Sequence, residues 1–151
     1  MGRSQLKGTQ MDQADAEIQI PLSGLYETDG GDITALLDAS TTTPVLEAVN
    51  GDTDQAVRAS WAAGNSDAVL GQAFLPEDLA SGDVEVRVLA AMGGTTDSPA
   101  INCDAFFDVG DTKVEDASAE VAGTDLVEYT ITIDGADVPA GAKVLTFELT
   151  P

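Results

Sequence analysis

Four runs in the second half of the chain place an apolar side chain at every second position. Val84, Val86 and Val88 alternate with Glu85 and Arg87. Ile101, Cys103, Ala105, Phe107 and Val109 alternate with Asn102, Asp104 and Asp108. Val127, Tyr129, Ile131 and Ile133 alternate with Glu128, Thr130 and Thr132, and Leu145, Phe147 and Leu149 alternate with Thr146 and Glu148. A period of two is the signature of a strand with one buried and one wet face, because successive side chains point to opposite sides.

The first half reads as strands separated by turn residues. Residues 17–20 are short and alternating, and 22–28 extend them. Asp29-Gly30-Gly31-Asp32 is a turn signal, and 33–37 fit either a helical turn or a strand. Residues 44–49 form a strand closed by Asn50-Gly51-Asp52. Residues 56–63 alternate with Val57, Ala59, Trp61 and Ala63 on the inward side. Gly64-Asn65-Ser66-Asp67 turns the chain into a strand over 68–75, and a short helical turn follows at 76–79. A loop with one edge strand is expected between Gly110 and Gly123. About eight strands, no long amphipathic helix and no internal repeat predict an all-β antiparallel sandwich, with the jelly roll as the architecture that best suits eight strands.

The charge balance narrows the function. Asp and Glu number 27 against 6 Lys and Arg, a formal charge of −21 on 151 residues. Such a surface repels nucleic acid phosphates. Hydrophobic residues make up 43 %, which is too many for an acidic disordered tail. There is no His, so Ser-His-Asp and Cys-His catalysis are excluded. The single Cys leaves a zinc site without its soft ligands; Cys103, inside an alternating run, reads as a small buried hydrophobe. The acids are 18 Asp and 9 Glu beside three Lys, a composition shared by proteins adapted to high salt and by ordinary acidic surfaces. No apolar run in the first nineteen residues suggests a secretory signal, and no stretch approaches eighteen apolar residues. Membrane partners are therefore not expected.

Residues 1–16 differ from the rest. They are Gln-rich and hold two of the six basic residues, Arg3 and Lys7. They read as an extended N-terminal arm ahead of a single sandwich domain over 17–151, and a weakly basic arm suits an acidic neighbour. A frayed terminus is the alternative. The core is light in aromatics, at 5 % of the chain, so association into an oligomer is expected to supply further burial.

Constellations that could carry chemistry are weak. Asn50, Asp52 and Asp54 stand at the i, i+2, i+4 spacing of calcium loops, but Gln55 occupies the place of the loop glycine and Trp61 that of the closing Glu. A polar turn is the other reading. Glu77-Asp78 and Glu115-Asp116 are adjacent acids of the kind that 27 carboxylates produce by chance, and nothing marks them as a glycosidase pair. Gly93-Gly94-Thr95-Thr96 lacks the Lys and helix of a phosphate loop. No enzyme activity and no cofactor are expected. Trp61 reads as core. Phe106 falls on the outward parity of its strand beside inward Phe107, which places it either under a loop or at a subunit interface.

Two segments carry a resemblance. FLPEDLASGDVEVRVLAA (residues 74–91) runs from a strand through a Pro-led acidic turn to an alternating Val strand. YTITIDGADVPAGAKVLTFELTP (residues 129–151) joins two strands through a Pro-Ala-Gly turn. Together, over roughly residues 56–151, the chain resembles the small jelly-roll proteins of tailed viruses of bacteria and archaea that decorate or cement capsids, with related domains in head fibres, turrets and tails. The resemblance implies a trimer on the outer surface of the virion, made in the host cytoplasm and bound to the major capsid protein and other virion subunits. Its N-terminal arm would reach neighbouring subunits through Arg3, Leu6 and Lys7, and Phe106 joins them as an interface residue. No catalytic residue carries over. A small carbohydrate- or surface-binding sandwich module is the alternative from a different class, and it would need a stripe of exposed aromatic rings.

Overall fold

In the computed structural model, residues 17–29, 32–35, 44–50, 55–76, 82–94, 99–108, 113 and 115–151 are described. Among them the chain forms ten strands and no α-helix: β1 (Tyr26–Asp29), β2 (Asp32–Ala35), β3 (Val45–Asn50), β4 (Gln55–Ser60), β5 (Val69–Phe74), β6 (Val84–Ala90), β7 (Ala100–Phe107), β8 (Glu115–Glu120), β9 (Val127–Ile133) and β10 (Val144–Thr150). Every pairing is antiparallel. Six strands make one sheet in the order β2-β1-β5-β10-β7-β8, while β3-β4 and β6-β9 are two-stranded ribbons.

The alternating runs explain how the layers meet. Ile101, Cys103, Ala105 and Phe107 of β7 and Leu145, Phe147 and Leu149 of β10 turn one face of the large sheet inward. Val86 of β6 and Ile131 and Ile133 of β9 close over them, and all ten belong to one buried cluster. Each fully buried Val, Leu, Ile or Phe among them contributes roughly 1.5–3 kcal/mol relative to exposure. The result is an antiparallel β-sandwich, with the β6-β9 ribbon as the layer opposite β7 and β10. The chain crosses between these layers at β5–β6, β6–β7, β8–β9 and β9–β10, and the last strand inserts between β5 and β7.

The turns use the chemistry their residues offer. Asp134 Oδ1 accepts from the Ala136 N–H (2.8 Å) and the Asp134 carbonyl accepts from the Asp137 N–H (2.9 Å), which turns the chain after β9. The Pro-Ala-Gly turn closes with the Ala142 N–H donating to the Pro139 carbonyl at 3.0 Å. Asp83 Oδ1 accepts from the Gly135 N–H at 2.9 Å, tying the end of β9 to the start of β6. The backbones meet there so closely that a Cβ on Gly135 would lie 2.6 Å from the Gly82 carbonyl carbon.

Several expectations change. Residues 17–20 are not a strand: Pro21 is followed by a single 3₁₀ turn, Leu22–Gly24, closed by the Gly24 N–H to the Pro21 carbonyl (2.8 Å), and β1 begins only at Tyr26. Ten strands form rather than about eight: the ambiguous segment 33–37 overlaps β2, and the edge strand before Gly123 is β8. The inward set of residues 56–63 fails at its ends. Val57 is 58 % exposed, Ala63 is exposed, and the strand stops at Ser60. The physical reason is that none of the described residues of β3 and β4 joins the main cluster, whereas the β6-β9 ribbon, equally two-stranded, packs on it. Val127, on the inward parity of β9 and the strand's first residue, is also exposed.

Candidate interaction surface

The outward face of the six-stranded sheet is built by the same alternation that builds the core. On β5, Val69, Gly71 and Ala73 point inward, so Leu70, Gln72 and Phe74 point out. On β10 the outward set is Val144, Thr146, Glu148 and Thr150, and on β7 it is Ala100, Asn102, Asp104 and Phe106. Register then arranges these side chains in rows. Phe74 lies opposite Val144; Gln72, Thr146 and Phe106 form the next row; Leu70, Glu148 and Asp104 form the third. Gln72 Nε2 donates to Thr146 Oγ1 at 3.2 Å, which holds the middle row together.

This face is apolar at one end and anionic further along. Phe74 is 76 % exposed, Val144 opposite it is half-buried, and Phe106, half-buried, stands one row along on β7. Glu148 and Asp104, both half-buried, sit directly opposite each other on neighbouring strands. Like charges in that position are destabilising. Lys113 Nζ approaches Asp104 Oδ1 at 3.3 Å and offsets part of the repulsion.

A second exposed apolar group lies on the other layer, at one end of the β6-β9 ribbon. Leu89 is 64 % exposed on the outward parity of β6, Leu126 is 68 % exposed just before β9, and Val127 begins that strand. Along the same outward edge, Arg87 bonds Glu85 two residues back, through Nη2 to Oε2 at 2.6 Å. The Glu85 carboxylate holds the Arg87 guanidinium above its usual pKa. On the β3-β4 ribbon, Arg58 Nε donates to Glu47 Oε1 across the strands at 2.8 Å. That bond, joined by one from Ser60, holds the Glu47 carboxyl below the usual glutamate range.

The residues singled out in the sequence fall as follows. Phe106 is half-buried on the outer sheet face, opposite Thr146. Arg3, Leu6 and Lys7 lie outside the described residues, as do Asp52, Asp54 and the Glu77-Asp78 pair. Asn50 ends β3, and Glu115 and Asp116 open β8. Among the described residues no three carboxylate or thiol side chains converge in a way that could hold a metal ion. Cys103 is fully buried in the core cluster. Trp61 is only half-buried and its Nε1–H donates to the Asp67 carbonyl at 2.9 Å, within a loop braced by the Asp67 N–H bond to Asn65 Oδ1 at 2.8 Å. Tyr129 is half-buried, and its hydroxyl accepts from the Ala122 N–H at 3.3 Å. Sequence reasoning missed Phe74, Leu89 and Leu126; for Leu89 the signal was present, since it continues the outward parity of Glu85 and Arg87.

No described helix is long and apolar enough to cross a membrane. Compared with protein-family models, with curated proteins and with solved structures, the chain matches none.

Proposed function

We propose that the chain is a structural subunit without catalytic activity: a decoration or cement protein that binds the outer surface of a viral capsid and stabilises it, acting as a trimer. The observation that carries this reading is the exposure of Phe74, Leu89 and Leu126 at two separate places on a chain of net charge −21. Exposed apolar side chains grouped on so charged a body suit surfaces that a partner covers. Two such places suit a subunit that meets both its own copies and a shell. The mechanism is burial. A standard interface removes about 1,600 Å² in total, and repetition over a symmetric shell adds avidity to a modest contact. The remaining negative surface keeps particles apart.

Two further features support the reading. Residues 74–91 and 129–151 resemble the small jelly-roll decoration proteins of tailed viruses, and the insertion of β10 between β5 and β7 is in keeping with a jelly-roll path. Trp61 and Tyr129 are half-buried with their polar atoms hydrogen-bonded, which leaves Tyr26 as the one exposed Trp or Tyr, short of the stripe that a sugar-binding module requires.

The test is co-sedimentation with purified shells of the virus that encodes the chain. Stoichiometric binding by the full chain, lost on deletion of residues 1–15, is the expected result. Absence of binding overturns the capsid assignment, and retained binding after the deletion removes Arg3, Leu6 and Lys7 from the contact. Light scattering in 0.1 and 2 M salt checks the oligomer, and a monomer in both overturns the free trimer.

A further inference from the structure

Resting on the structural-subunit reading, we infer that the outer face of the six-stranded sheet docks an extended, cationic segment of a partner protein, one that carries an apolar side chain and a Lys or Arg four positions apart.

The spacing comes from β10. Val144, with Phe74 opposite it, and Glu148, with Asp104 opposite it, are four residues apart on one face of that strand. A strand rises about 3.3 Å per residue, so the two rows lie roughly 13 Å apart. A partner segment running along β10 in extended form presents its own side chains with the same period. One apolar residue then covers Phe74 and Val144, with Phe106 one row further along. The residue four positions away on the same side reaches Glu148 and Asp104. An exposed ring is covered, and two carboxylates placed opposite each other, with Lys113 already against Asp104, receive a further cation. Both carboxylates are half-buried, so salt screens the contact less than it screens a fully exposed pair.

Charge decides the occupant. A second copy docking through the same face would set Glu148 and Asp104 against their own counterparts on a body of net charge −21. A neutral apolar segment would cover Phe74 and leave the acid pair opposed. A segment with both features satisfies both rows. The Leu89–Leu126 end of the ribbon lacks this arrangement: Leu89 faces Glu128 in register, and Arg87 beside it is held by Glu85.

The experiment uses the full chain, labelled with ¹⁵N, and a synthetic eight-residue peptide with Leu and Lys four positions apart in a Ser/Thr background. Amide shifts are expected to concentrate in residues 72–74, 104–106 and 144–148. Replacing the peptide Lys by Glu, or its Leu by Ser, should abolish them. Phe74→Ser, at an exposed position, should weaken binding by about ten-fold, while Thr132→Ser, at an exposed position of β9, leaves it unchanged. Shifts spread evenly over the acidic surface, or a Phe74→Ser variant that binds as wild type does, would overturn the inference. So would concentration-dependent shifts at the same residues without peptide, which would make a second copy the occupant. Shell binding that survives Phe74→Ser and Glu148→Gln rejects this face and leaves the capsid assignment standing. Peptide binding at this face without shell binding rejects the capsid and keeps the face.

Discussion

The ring of Phe147 lies over the backbone of Gly71, its partner in register between β10 and β5. A Cβ at position 71 would fall 2.8 Å from Cε2 and 2.9 Å from Cε1 of that ring, and the ring is itself buried in the core. The contact sets the face of β5. With the space above Gly71 filled from β10, the small residues Gly71 and Ala73 turn inward and the large Phe74 turns to solvent.

Gly71→Ala therefore destabilises the protein, against the ordinary gain from replacing a strand glycine, which is roughly 0.5–1 kcal/mol. The expected loss is about 1–3 kcal/mol, typical of overpacking, and a lowered Tm reads it. Combined with Phe147→Leu, the substitution should cost less than the sum of the two alone. A Tm that rises on Gly71→Ala alone would refute the contact.

Asp108 closes the end of β7 onto β10. It is the one described non-glycine residue with positive φ, at 57°. Its Oδ1 accepts from the Lys143 N–H (2.9 Å) and the Val144 N–H (3.1 Å), while its own N–H donates to the Val144 carbonyl (2.9 Å). Asp108→Ala loses both accepted bonds and places a Cβ residue with no local compensation in the left-handed region, for an expected cost of about 1–3 kcal/mol. Asp108→Asn keeps an acceptor oxygen and tolerates that conformation, so it should lie within about 1 kcal/mol of wild type. Chemical denaturation of the two variants checks the order.

Stability should rise with salt. The Debye length shrinks from about 10 Å at 0.1 M to about 3 Å at 1 M, which relieves both the general repulsion of 27 acids and the local opposition of Glu148 and Asp104. Glu148→Gln should raise Tm at 0.1 M salt, by the equivalent of a few tenths to about 1 kcal/mol. It should also flatten the dependence up to 2 M. A wild-type Tm that stays level over this range would show that charge does not limit the fold.

Glu47 supplies a pH signature. Its carboxyl is held below the usual range in the folded protein, first by the Arg58 bond and then by Ser60. A lowered folded pKa means that its contribution is complete above the ordinary glutamate pKa and is lost as pH falls through the folded value. The stability difference between wild type and Glu47→Gln should therefore shrink as pH is lowered from 6 through the carboxylate range. A difference that grows instead would place the Arg58 contact elsewhere.

The alternating runs alone determined much of this protein. A period of two with acids between the apolar positions admits only half-buried strands, and Ile101, Cys103, Ala105, Phe107, Ile131, Ile133, Leu145, Phe147 and Leu149 are inward as that period requires. The outward position of Phe106 follows from the same parity. What tertiary structure decided lies where the local pattern has no preference or is overruled by pairing. Residues 69–74 offer a small face and a large face, and only the arrival of Phe147 from the far end of the chain selects the small one for the core. Residues 56–63 alternate as cleanly as the core strands, yet Val57 stays in water, and none of the described residues of β3 and β4 joins the main cluster. The opposition of Glu148 and Asp104 joins residues 44 positions apart in sequence. Alternation tells each strand which side is wet, but register between distant strands decides which wet side chains become neighbours.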